Sequence, residues 1–189
     1  MTEIEAIILD SETTGFRAPQ PIEVGYLSLQ ALQNYEGVTL LSEAHPEFCE
    51  RYKPTKAIDP GAVAVHGIRL ADLLDKPRFS VEALTIPETT QYIVAHNISY
   101  DWRVLGKPAS LGLKRICTIK LAKALWPGLD SYKLTALIGE FFPEGHAQLV
   151  ANAHGALIDT KLCLGLIAKA RQEFELETWA DIYEIAGQG

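Results

Sequence analysis

The chain has 189 residues, 48% hydrophobic and 22% charged, which fits one globular domain and excludes collagen-like or low-complexity chains. No apolar run approaches the roughly 18 residues of a membrane span, and the N-terminus lacks a charged-then-apolar signal layout. A net charge of −7 argues against a protein that grips long nucleic acids through a basic surface. Cys49, Cys117 and Cys163 share no metal-ligand spacing, and their odd number argues against a disulfide framework. They are read as reduced residues of an intracellular, cytoplasmic protein with no membrane partner.

Along the chain, strands come first and then alternate with helices. Residues 4–9 form an apolar run, and residues 22–32 a longer strand-like stretch. A third strand is expected near 38–41 and a fourth around 48–52. Asp59-Pro60 reads as an N-cap followed by proline at the first helical position, opening a short helix that stops near Gly67. Residues 92–95 are a further strand, running into Asn97 as N-cap of a helix that ends before Gly106. Residues 115–118 are expected as the final strand, followed by helices near 119–125 and 132–142. Residues 156–171 are the clearest helix, and Thr178 caps a last one ending at Gly187. The order predicts one α/β domain over 1–189, with a core of 4–171 and a short helical C-terminal extension of 172–189.

Four carboxylates stand out against this frame. Asp10 and Glu12 are two apart at the end of an apolar strand, so their side chains share a face, and like charges so placed repel unless a cation neutralises them. Asp159 precedes Leu162, Cys163, Leu166, Ile167 and Ala170 by three, four, seven, eight and eleven residues, which sets it on the apolar stripe of its helix. Asp101 shares a face with Ile98, Trp102 and Leu105, while Arg103 points elsewhere. A carboxylate on a buried face is costly unless it is paired or bound to a metal. The competing reading for each is a solvated loop acid, or a buried acid satisfied by arginine or a backbone N–H. His154 lies five residues before Asp159, about 140° away on an ideal helix; it therefore belongs to the approach to the helix, at or before the first turn. Seven of the seventeen basic residues (Arg103, Lys107, Lys114, Arg115, Lys120, Lys123 and Lys133) fall within 101–133. They form either a phosphate-facing patch or an ordinary solvated face.

Residues 8–15 (Ile-Leu-Asp-Ser-Glu-Thr-Thr-Gly), then Val94-Ala95-His96-Asn97 with Asp101, then His154 with Asp159, resemble the three motifs of the DEDDh group of 3′→5′ exonucleases. Ile22-Glu23-Val24-Gly25, Val65-His66-Gly67-Ile68, the stretch 116–123 and Trp126-Pro127-Gly128 agree with it. The resemblance covers roughly residues 4–170, and three ordered motifs with matching internal spacing are specific where each alone is modest. It implies a ribonuclease H-like fold, a mixed central β-sheet flanked by helices. It also implies an enzyme of DNA repair that releases nucleoside 5′-monophosphates from 3′ ends, and it leaves room for a homodimer. Two Mg2+ or Mn2+ ions would be held by Asp10, Glu12 and Asp159, with Asp10 shared and Asp101 assisting directly or through water. All-oxygen ligands suit these ions better than zinc. His154 would be the general base, and Thr13, Thr14, Gly15, His66 and Asn97 would line the terminal-nucleotide pocket. DNA is favoured over RNA, with an RNA or short-oligonucleotide exonuclease as the alternative. Ser11 stands where the family usually has threonine; on strand alternation it should face away from the metals, with little effect. Two other readings compete: an aspartyl phosphatase, which would need a second Asp where Glu12 stands, and a non-catalytic nucleic-acid-binding module, against which the complete set of acids weighs.

Overall fold

The computed structural model describes residues 3–35, 45–108, 111–144 and 155–188. Six strands, β1 (Ala6–Thr13), β2 (Pro21–Leu29), β3 (Glu47–Arg51), β4 (Tyr92–Ala95), β5 (Lys114–Cys117) and β6 (Gly187–Gln188), form one sheet in the order β3-β2-β1-β4-β5-β6. β1 pairs antiparallel with β2 but parallel with β4, and β4 parallel with β5. The sheet is therefore mixed, as expected. The parallel centre sends the C-terminal ends of β1 and β4 to the same edge, where sites of such sheets collect.

Among the described residues, six α-helices accompany the sheet: α1 (Pro60–His66), α2 (Ile98–Val104), α3 (Thr118–Leu125), α4 (Leu134–Phe141), α5 (Ala156–Phe174) and α6 (Trp179–Ala186). Strand alternation divides their packing. Ile8 and Val94 face Cys163 and Ile167 of α5 and Ile182 of α6 in one core cluster. Ile7, Leu9 and Ile93 face Ile98 and Trp102 of α2 in another. β2 is buried along its whole length, including the polar residues Glu23 and Ser28. Among the described residues, no helix is long and apolar enough to cross a membrane.

The local signals behave as read. Pro60 opens α1, and Gly67, at φ 74°, closes it by donating to the Val63 carbonyl. Thr178 and Asp181 form a reciprocal capping box at α6. The Leu162–Ala170 stripe of α5 is buried. Other readings change. β1 runs past residue 9 to Thr13, so Asp10 and Glu12 are strand residues, paired with Gly25 and Glu23 of β2. Residues 114–117 are not the final strand, because Gly187 and Gln188 pair antiparallel with Ile116 and Arg115; a two-residue edge strand has no periodicity to detect. The C-terminal helix is part of the main core, where Trp179, Ile182 and Ala186 are fully buried. Asn97 precedes α2 at φ 77° without a side-chain cap. The strand expected near 38–41 lies outside the described residues.

Candidate active site

Asp10 and Glu12 project from β1 toward α5, and Asp159 comes down from the first turn of that helix. One carboxylate oxygen from each of Asp10, Glu12 and Asp159 lies within 4.8 Å of the others. Burial, and then the neighbouring carboxylates Asp101, Asp159, Glu12 and Glu23, push the Asp10 carboxyl well above the usual range. The same causes, burial first and then Asp159, Glu23 and Asp101, raise Glu12 to about 8. The neighbouring groups that raise both are carboxylates. Such a nest is unfavourable when ionised, and a hard divalent cation with oxygen preference is the partner its donor set fits. The arginine that could have relieved it is engaged elsewhere: Arg51 Nε donates to Glu23 Oε2 at 2.7 Å.

Asp101 reaches the same edge from the opposite face. It is 3% exposed on α2 and accepts a hydrogen bond from Ser11 Oγ at 2.7 Å. Burial raises its carboxyl to about 7 against the lowering effect of the Ser11 hydroxyl. It acts on Asp10 as the strongest of the neighbouring charges but is not one of the three gathered acids. This corrects the expectation for Ser11. The residue does face away from the side of β1 that carries Asp10 and Glu12, yet that turns its hydroxyl onto Asp101, because α2 covers the other side. His154 lies outside the described residues. Gly155 is the extended N-cap of α5.

Beside the acids is a cavity of about 420 Å³ that takes its floor from β1 and its walls from α1 and α2. Glu12, Thr13, Gly15, His66 and Asn97 line it. Thr13 Oγ1 shares a hydrogen bond with Tyr100 Oη at 2.8 Å. His66 Nδ1 accepts from the Ile68 N–H at 3.0 Å, so the proton of a neutral ring sits on Nε2, 3.2 Å from the Thr13 carbonyl. Gly15 adopts φ 126°, and a side chain there would collide with Asp59. Thr14 departs from expectation. It is fully buried and closes the following turn by accepting from the Gln20 N–H, because the next residue in an extended strand points to the other side.

Sequence reasoning missed Phe16, Val65 and Tyr100, which also line the cavity. Phe16 is 88% exposed and meets Tyr100 edge-on at 6.4 Å. An aromatic directly after the Thr-Thr-Gly turn was the available signal. Several members of the basic run of 101–133 have partners other than the acids. Lys114 lies over Tyr92 and Tyr183, Arg115 over Trp102 and Lys123 over Tyr132, and Lys120 donates to the Gly187 carbonyl. Arg103 lies over the ring of Tyr100, a residue that lines the cavity, at 5.3 Å.

Comparison with known proteins agrees with this geometry. The exonuclease family model matches residues 7–167. Exodeoxyribonuclease 10 of Escherichia coli (strain K12) is 33% identical over 122 residues, covering 65% of this chain and 49% of that protein. This chain therefore spans about half the length of that relative. The DNA polymerase III subunit epsilon of Salmonella typhimurium is 30% identical over 182 residues, covering 82% of this chain and 67% of the relative. Exonuclease X in complex with 5′ overhanging duplex DNA superimposes with a TM-score of 0.69 at 27% identity, covering 95% of this chain and 98% of that one. Escherichia coli exonuclease I with a dA16 oligonucleotide, at 19% identity and a TM-score of 0.68 over 90% of this chain and 41% of that one, shares the fold. Since the matched stretch begins on the strand that bears Asp10 and ends on the helix that bears Asp159, the chain belongs to the exonuclease family and has its ribonuclease H-like fold.

Proposed function

We propose that the protein is a metal-dependent 3′→5′ exonuclease that hydrolyses terminal phosphodiester bonds of DNA and releases nucleoside 5′-monophosphates. The observation that carries this reading is the convergence of Asp10, Glu12 and Asp159 beside a 420 Å³ cavity, a volume within the ~300–1,000 Å³ range of small-molecule pockets. Asp10, Glu12 and Asp159 would hold two Mg2+ or Mn2+ ions, with Asp10 shared and Asp101 assisting. When bound, such ions generate a nucleophile at neutral pH and offset charge on the attacking and leaving oxygens. Of the chain's own groups, His154 takes the proton of the attacking water as general base. The cavity holds the terminal nucleotide: Phe16 offers an exposed aromatic face for a base, and the Thr13, Tyr100 and His66 network fixes the wall against it. Preference for DNA is supported by the relatives, named for deoxyribonuclease activity or solved with DNA. A cytoplasmic location belongs to the same proposal and rests on three free cysteines; the homodimer rests on resemblance alone.

The test is time-resolved digestion of 3′- and 5′-labelled single-stranded DNA and RNA with Mg2+ or Mn2+, with a chelator control. The expected result is stepwise loss from the 3′ end, faster on DNA, and none with chelator. Absence of hydrolysis with either ion, or release from the 5′ end, would overturn the proposal.

A further inference from the structure

Glu23 is a fifth acid at the site, and its surroundings differ from those of the other acids. It stands directly across from Glu12 in the β1–β2 ladder and from Arg51 in the β2–β3 ladder. Its side chain is buried, and both carboxylate oxygens are satisfied. Oε2 accepts from Arg51 Nε at 2.7 Å. Oε1 accepts from the backbone N–H of Ala156 at 3.1 Å. Ala156 is the first residue of α5, and its N-cap, Gly155, has no side chain to offer. The first N–H groups of a helix have no partner within it; here a carboxylate from the sheet supplies one, at the end of the helix where a negative charge is favoured. Three residues later, on the same face, is Asp159.

Two residues along β2, Gly25 makes the complementary contribution. It pairs with Asp10, and a Cβ there would lie 2.8 Å from the Leu157 backbone nitrogen and 3.1 Å from the Ala156 carbonyl carbon. Gly25 thus lets the first turn of α5 settle against the sheet, and Glu23 ties it down. The two residues form a seat whose position sets how closely Asp159 approaches Asp10 and Glu12.

We propose that Glu23 is a positioning residue: by holding the first turn of α5 against β2, it sets the spacing of the three gathered acids and thereby their affinity for divalent ions. Arg51 compensates its charge, so that Glu23 braces the nest without becoming a further ligand. The inference rests on Asp10, Glu12 and Asp159 being the metal site of the proposed function.

The test separates reach from charge. E23Q keeps the length of the side chain and an oxygen for the Ala156 N–H, while Arg51, half-exposed, can turn to solvent. E23D keeps the charge but withdraws it by one methylene. Mn2+ binding to the full chain without substrate, followed by electron paramagnetic resonance, is the direct readout, with kcat and KM on single-stranded DNA as the second. E23D should bind Mn2+ about tenfold more weakly and lose kcat with KM little changed, a typical size for altering a group that orients a ligand; E23Q should stay within about threefold of the parent. G25A, which pushes on the same turn from β2, should reproduce the E23D effect and carries the test if E23D does not fold. Parental Mn2+ affinity in both E23D and G25A, or an E23Q variant as impaired as E23D, would overturn the positioning role. Failure of the parent chain itself to bind Mn2+ would instead remove the proposed function.

Discussion

Two buried polar clusters lie near the C-terminal ends of β1 and β4, and they are built on opposite terms. At the end of β4, His96 is fully engaged: Nε2 donates to the Tyr132 carbonyl at 2.9 Å and Nδ1 faces Thr118 Oγ1 at 2.8 Å. Thr118 in turn lies 3.8 Å from Cys163 Sγ. With a neutral ring, donation runs in one direction from Cys163 through Thr118 and His96 to a backbone oxygen, and burial lowers the imidazole to about 4. At the end of β1, Asp10 and Glu12 have carboxylates for neighbours, and burial together with those neighbours drives both upward. A buried polar group is tolerated when its partners are present: the His96 cluster has them within the protein, whereas the acidic one has the donor set of a cation site. The lesson is that burial of polar groups alone does not mark a site; burial with charges of one sign does.

The sharpest way to break this contrast is Asp10→Asn. It should lower kcat by more than about a thousandfold by removing a ligand of the proposed metals. In metal-free buffer it should nevertheless raise unfolding stability, by on the order of 1–3 kcal/mol, because a like charge leaves a buried nest. Urea denaturation with chelator checks the second part; a destabilised D10N would mean that the acids are satisfied without a cation. His154→Ala should lower kcat by about 10²–10⁴ with little change in KM, and a rate within a few-fold of the parent would remove the general-base role.

The other cluster should respond in stability. His96→Ala leaves the Tyr132 carbonyl and Thr118 hydroxyl without their partner and is expected to cost about 2–4 kcal/mol, read by urea denaturation. The smallest effect is on pH. A histidine whose folded pKa is lowered to about 4 binds its proton more readily in the unfolded chain, at about 6.5. Its contribution is therefore complete above pH 6.5 and is lost as pH falls toward 4. H96Q should flatten the slope of stability over that interval; an unchanged slope would place the titration elsewhere.

Much of the fold could be read from local pattern, and the reasons are specific. Pro60 and Gly67 bracket α1, Thr178 and Asp181 cap α6, and the stripe from Asp159 to Ala170 has the helical period, all signals contained within a turn or two of chain. The convergence of Asp10, Glu12 and Asp159 was legible because strand and helix periods assign each to a face. What escaped were pairings across the sheet. Ser11 meets Asp101 over a separation of 90 residues. The short β6 exists only because α6 delivers it to the edge of β5. Phe16 and Tyr100 share a cavity wall only because the turn after β1 comes to lie beside α2.

By itself, then, the amino-acid order determined which faces are apolar, where helices start and stop, and which acids are awkward to bury, since each follows from backbone periods and capping chemistry acting over a few residues. The tertiary structure alone decided which acid takes the arginine. Glu23, Asp10 and Glu12 all stand on neighbouring strands, but Arg51 pairs with Glu23 because β3 lies beside β2 and not beside β1. That strand order leaves Asp10, Glu12 and Asp159 gathered together, with burial and neighbouring carboxylates raising both Asp10 and Glu12.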